Sequence, residues 1–176
     1  RQPRYDHSAC ALVFPQPLCE KQRFDPEDLL AIMRRLRSPD GCPWDKKQTH
    51  QSLVKYLLEE ANEAAHALRE EAWEDATEEL GDVLLQLAFH AVVGEDHGTM
   101  TWEEMLGAIC RKLIRRHPHI FGDSRLDSAE EVLVAWEAIK AQERGDRTQG
   151  SRMREIPTGF PALQRAEKVQ QVAARV

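Results

Sequence analysis

Aromatic side chains are scarce in this 176-residue chain, at 6%, and glycine and proline number nine each. Together with 31% charged residues, that shortage favours a helical, soluble protein over a sheet protein. No Cys-x-x-Cys pair exists. Cys10, Cys19, Cys42 and Cys110 are scattered, which argues against a structural zinc site or a disulfide framework and makes a reducing cytoplasm the expected location. No apolar run approaches the ~18 residues of a membrane span, so no membrane partner is expected. Residues 1–24 carry Arg1 and Arg4 but lack the apolar stretch of a secretory signal. Basic charge is not in excess: the net charge of −6 argues against a nucleic-acid surface, yet it leaves room for an anionic small molecule bridged by metal. A Walker-type glycine-rich phosphate loop is also missing.

What the chain does have is acid, arranged with a period. Glu59-Glu60-Ala61-Asn62-Glu63 is followed, after a spacer, by Glu78-Glu79-Leu80-Gly81-Asp82. Residues i, i+1 and i+4 share one arc of an α-helix, so each triplet occupies one side of its helix. If the two helices pair antiparallel, up to six carboxylates converge. One acidic triplet is usually a solvated face. Two with the same spacing, beside strongly apolar positions, need a counter-cation, and hard divalent metals prefer oxygen ligands.

The length suits one domain with extensions. The first residue is Arg rather than Met, which reads as a trimmed boundary. Residues 1–24 show no period and read as an irregular arm. Asp25-Pro26-Glu27-Asp28 has the form of a helix start, and Leu29, Ile32, Met33 and Leu36 give that helix an apolar face. Ser38-Pro39-Asp40-Gly41 is a turn cluster. The polar segment 41–50 reads as a loop in which Trp44 either plugs the core or touches a ligand. The spacing predicts a second helix over about 51–70, with a buried stripe of Leu53, Leu57, Ala61, Ala64 and Leu68. A third covers about 73–93; after Gly81 it is apolar nearly all round, as in a helix enclosed by others. Asp82, at the lip of this run, needs a partner or a metal.

Residues 94–98 are expected to connect to a fourth helix, opened by a capping box at Thr101–Glu104 and ended by Pro118. Lys112, Arg115 and Arg116 in its last turns suit either the helix dipole or phosphate oxygens. A loop at 117–122 and a fifth helix from Ser128 follow, the latter bearing Val132, Ala135, Trp136 and Ile139. Residues 145–160 read as linker, and 161–176 resume a helical pattern.

Glu63-Ala-Ala-His66 is a Glu-x-x-His, the element of di-iron bundles, but those need two, and the second triplet offers no matching histidine. Oxygen-only ligands point instead to Mg2+, with Mn2+ possible, completed by substrate phosphates. With Lys112 and Arg116 available, the expected ligand is a nucleotide polyphosphate. Bound metal would activate water and stabilise the leaving oxygens, with a free carboxylate as general base.

These residues resemble the MazG family of all-α nucleoside triphosphate pyrophosphohydrolases. The resemblance rests on Glu59-Glu60-Ala-Asn-Glu63 and Glu79-Leu-Gly-Asp82, with flanking matches at Gly41–Asp45, Gln48–Leu53 and Arg115–Phe121. It runs over about 26–143, with a weaker echo at 156–172. It implies a four-helix-bundle-like fold, active as a homodimer or higher homo-oligomer, that hydrolyses a nucleoside triphosphate to monophosphate and pyrophosphate with Mg2+. Carried over residue by residue, the metal ligands are Glu59, Glu60, Glu63, Glu79 and Asp82, with Glu60, Glu63 and Asp82 catalytic and Glu78 in support. Lys112 and Arg116 resemble phosphate contacts, Trp136 an aromatic near the nucleotide, and Trp44 joins them as a candidate substrate contact. The expected organisation is an arm over 1–24, a MazG-like domain over 25–144, and a linker with the start of a truncated second unit over 145–176. No second acidic signature follows, so the chain resembles an amino-terminal half. The alternative is a catalytically weak helical module that dimerises or binds nucleotide.

Overall fold

The computed structural model describes residues 17–144 and 149–174, and no strand occurs among them. Most of the expected arm, with Cys10, lies outside the described residues, as do 145–148 of the linker and the last two positions. Cys19, Cys42 and Cys110 are free thiols. No helix of the described residues is long and apolar enough to cross a membrane.

Helix α1 (Pro26–Arg37) begins where the sequence signals it. The Asp25 carboxylate accepts from the Asp28 backbone N–H at 2.9 Å, and the Asp28 carboxylate accepts from the Asp25 N–H at 3.1 Å, with proline at N1. Helix α2 (His50–Arg69) opens on the equivalent reciprocal pair, Thr49 and Ser52. A tight turn with Glu71 at φ +56°, closed by the Ala72 N–H on the Ala67 carbonyl at 3.0 Å, leads into α3 (Trp73–His97).

Helix α3 does not stop at Val93 as expected. It continues through Gly94 to His97 and is closed by Gly98 in the left-handed region, with the Thr99 N–H bonded to the Gly94 carbonyl at 3.0 Å. Two long-range ion pairs hold the extra turn. Arg34 binds Glu95 through two bonds of 2.8 and 2.7 Å, and Arg37 binds Asp96 at 2.7 Å.

The core lies among α1, α2, α3 and the start of α4 (Trp102–Arg116). It gathers Leu30, Met33, Leu53, Ala88, Phe89, Ala91, Val92, Val93 and Trp102. Its membership corrects the expected stripes in detail. Leu30 replaces Leu29 at the centre, Ala67 joins Ala64 on α2, and Ala61 and Leu68 are exposed. The run after Gly81 is not enclosed all round: Leu80, just before Gly81, and Leu84 and Leu87 within the run, spaced i, i+4, i+7 on one helical stripe, are 48%, 41% and 36% exposed.

The chain divides into two compact units between residues 108 and 109, so α4 crosses the division. In the second unit the segment expected as a loop contains one helical turn, α5 (Pro118–Phe121). There follow α6 (Ala129–Arg144), α7 (Gln149–Arg154) inside the expected linker, and α8 (Ala162–Ala173). Among its described residues only Ile156 is buried, while Leu133, Val134 and Leu163 are 61%, 73% and 86% exposed.

Candidate functional site

The short α2–α3 turn forces the two acidic helices antiparallel, and that register decides which carboxylates meet. His50 stands opposite His90 near one end. Towards the turn, Glu60 faces Glu79 and Asp82, whose carboxylate oxygens lie within 4.8 Å of one another, all three half-buried. Three of the six acids therefore converge this closely. Glu59, Glu63 and Glu78 are exposed at the rim. Glu63 and Glu79 line a hollow of about 270 Å3 next to the turn, together with His66, Glu70 and Asp75.

The electrostatics are those of uncompensated acid. Desolvation, and then repulsion from Asp82, Glu63, Glu79 and Glu59, holds the Glu60 carboxyl above the ordinary glutamate value. Glu79 is raised by desolvation first, then by Glu63, Asp82, Glu78 and Asp75. No cation figures among the influences on either group. An all-oxygen donor set fits a hard divalent cation, which the protein would hold through Glu60, Glu79 and Asp82.

The sign of this linkage gives a direct test. An acid whose folded-state pKa is raised costs stability while ionised, and that cost fades as pH falls through the shifted value. In chelator, Glu60→Gln is expected to melt about 1–3 °C above the wild type at pH 7.5, a shift typical of a few tenths of a kcal/mol to one. The gap closes as pH drops toward 4.5, the ordinary glutamate value. A variant that melts lower than the wild type at pH 7.5 would contradict this account.

Farther from the α2–α3 turn along the same two helices, Glu60 lines a second cavity of about 270 Å3. Trp44, half exposed, meets Tyr56 edge-on with ring centroids 6.1 Å apart and lies 6.4 Å from the Phe89 ring. Leu53, Leu85, Gln86 and Asp45 are among the other residues of its wall. Sequence reasoning missed Tyr56, Phe89 and Gln86. The available signal was Gln86 itself, a polar residue inside the apolar run 83–93.

The basic candidates belong to the second unit. Arg115 and Arg116 both grip Glu143, with Arg116 half-buried. Their hydrogen bonds, Arg116 first, hold the Glu143 carboxyl down to about 2. Trp136 sits edge-on to His117 with centroids 5.5 Å apart, Lys140 lies over its face, and its buried indole N–H has no partner. Lys112 is exposed.

Residues 48–121 match the family model described as the MazG nucleotide pyrophosphohydrolase domain. These residues are a MazG domain. The matched span contains every carboxylate of the two triplets as well as Lys112 and Arg116, and it leaves Trp44 and Trp136 outside. A nucleoside triphosphate pyrophosphohydrolase of Escherichia coli K12 is 45% identical over 149 residues, covering 84% of this chain and 57% of the relative. One from Thermotoga maritima, named nucleoside triphosphate pyrophosphohydrolase/pyrophosphatase MazG, is 48% identical over 150 residues, covering 85% and 57%. The chain thus spans a little over half the length of these curated relatives. The crystal structure of a mazG-related protein from Thermotoga maritima aligns with a TM-score of 0.55 and 29% identity, covering 65% of this chain and 97% of that one. The MazG match and the all-helical architecture agree with the fold class read from composition and periodicity.

Proposed function

We propose that this chain hydrolyses nucleoside triphosphates to the monophosphate and pyrophosphate. The carrying observation is the convergence of Glu60, Glu79 and Asp82 within a MazG domain. Mg2+, or Mn2+ in its place, would neutralise the triphosphate and lower the pKa of the attacking water. Glu60, Glu79 and Asp82 would hold the cation, with Glu59 flanking. Glu63, one turn along α2 from Glu60 and facing Glu79 across the hollow, is the carboxylate left to take the water's proton. The water oxygen bonds to the α-phosphorus as the bond from that phosphorus to the α,β-bridging oxygen breaks, and pyrophosphate carries away the electron pair. Trp44, in the same unit as the carboxylates, is the proposed nucleotide contact, while Lys112, Arg116 and Trp136 of the second unit stay candidate phosphate and nucleotide contacts on the strength of the resemblance. Product analysis after incubation with Mg2+ and each NTP and dNTP tests this: monophosphate plus pyrophosphate is expected. Orthophosphate with diphosphate, or no turnover of any nucleotide, would sink it.

The exposed stripe of Leu80, Leu84 and Leu87, with Val54 and Leu58 exposed on α2, supports assembly into a homo-oligomer, since such a stripe is costly to leave in water. Light scattering is expected to give at least twice the 20.2 kDa chain mass; a monomer at micromolar concentration would refute it.

A further inference from the structure

Two histidines meet at the end of the α2–α3 pair remote from the acidic cluster. His50 is the first residue of α2, and its Nδ1 lies 2.9 Å from Nδ1 of His90 on α3. The ring centroids are 5.2 Å apart and the planes lie within 3° of parallel. A 2.9 Å bond permits so wide a separation only when both nitrogens lie on the line between the centroids. The rings are therefore coplanar and joined end to end by a straight N–H···N hydrogen bond. They are not stacked.

Such a bond needs one ring to donate and the other to accept, whichever tautomer each adopts. When both rings are protonated, N–H meets N–H and two positive charges stand at hydrogen-bond distance. The far side of His90 offers no relief. Its Nε2 is buried without a partner among the described residues, so a cationic ring would hold an N–H there with no acceptor. Burial first and His50 second push His90 below the ordinary histidine value of 6.5, and no carboxylate counters them. The charged groups on the surrounding elements are engaged elsewhere or face water. Arg37 and Arg34 of α1 are paired with Asp96 and Glu95, and His97 of α3 is bonded to the Val93 carbonyl. Lys46 and Lys47 before α2 are exposed, as are Glu103 and Glu104 of α4.

We propose that the His50–His90 pair is a proton-sensitive latch, fastening the first turn of α2 to α3 at neutral pH and releasing it in mild acid. Gln48 bonds both the Trp44 carbonyl and the Ser52 hydroxyl, so the same turn is tied to the Trp44 segment. Acid thus loosens one attachment of the second cavity's wall and leaves the carboxylates where they are. The latch stands independently of the pyrophosphohydrolase reading.

A histidine depressed in the folded state contributes stability that is complete above its unfolded value and lost as pH falls through the folded one. The loss therefore begins below 6.5. The acidic cluster acts in the opposite sense as pH falls toward 4.5, so the test compares variants rather than reading one curve. His50→Gln keeps a hydrogen bond to His90, but its amide either donates or accepts, so the contact survives protonation of His90. Between pH 7.5 and 5.5, in chelator, the wild type should lose about 2–4 °C more in Tm than this variant. In NMR titrations of the ring protons, His90 should take up its proton at lower pH in the wild type than in His50→Gln. Parallel melting curves, or a His90 titration unmoved by the substitution, would overturn the proposal. Should His50→Gln fail to fold, wild-type amide exchange decides alone. Once corrected for the intrinsic effect of pH, the Leu53 amide in the first turn of α2 should lose about 10-fold in protection over the same range while Val92 in α3 keeps its own. Equal changes at both, or none at Leu53, reject the latch.

Discussion

Asp82→Asn is expected to cut pyrophosphate release by at least about 100-fold with helicity retained. Substitutions around a metal's ligands already cost about 10–100-fold when they touch only the supporting shell, and a direct ligand should cost more. Asn keeps the size of Asp82 and its place within 4.8 Å of Glu60 and Glu79. It removes the charge, which relieves both neighbours of a repulsion that raises their proton affinity. The apo variant should therefore be no less stable than the wild type, separating lost chemistry from lost fold. The readings are product formation by chromatography and thermal melting in chelator. Undiminished turnover would take Asp82 out of the site.

The second large effect concerns two glycines of the same helix. Gly94→Ala should lower stability by about 2 kcal/mol, or roughly 4–8 °C in Tm. A Cβ there would lie 2.5 Å from the Met100 carbonyl oxygen and 2.6 Å from its Cγ. The side chain can swing away, but the backbone oxygen belongs to the turn that closes α3. Against this stands a gain of up to about 1 kcal/mol from replacing a mid-helix glycine, which the clash outweighs. At Gly81 a Cβ meets nothing within 4 Å, so Gly81→Ala should realise that gain and raise Tm by about 2–4 °C. Paired thermal melts decide the matter, and equal shifts of the same sign would refute the packing argument.

Gly94 also shows where the sequence was legible and where it was not. Asp25-Pro26 and Thr49 announce helix starts because capping is local chemistry, completed within three residues. The end of α3 is decided elsewhere. Gly94 reads as a break, yet the helix needs it for close approach to Met100, and the following turn is held by Arg34 and Arg37 from α1, some sixty positions earlier in the chain. The acidic pattern was visible as two triplets, but which members face inward depends on the antiparallel register, which brings Glu60 to Asp82 and leaves Glu59 and Glu78 outside. The exposure of Leu84 and Leu87 was hidden for a related reason: an apolar run reveals an appetite for burial without saying whether its own chain satisfies it. Arg116 looked free in sequence because Glu143, which holds it, lies on a different helix.

Arg37 carries one more consequence. Its side chain is 5% exposed; besides Asp96 the guanidinium donates to the backbone carbonyls of Asp45 and Gln48, and it lies 5.7 Å from the centroid of the Phe89 ring. A single side chain thereby fastens the Trp44 segment to two helices at once. That segment is a fixed wall, standing in place before any ligand arrives. A nucleotide ring docking at Trp44, as proposed, would meet a surface with no ordering left to do, so differences between ligands should appear in how fast they leave rather than how fast they enter.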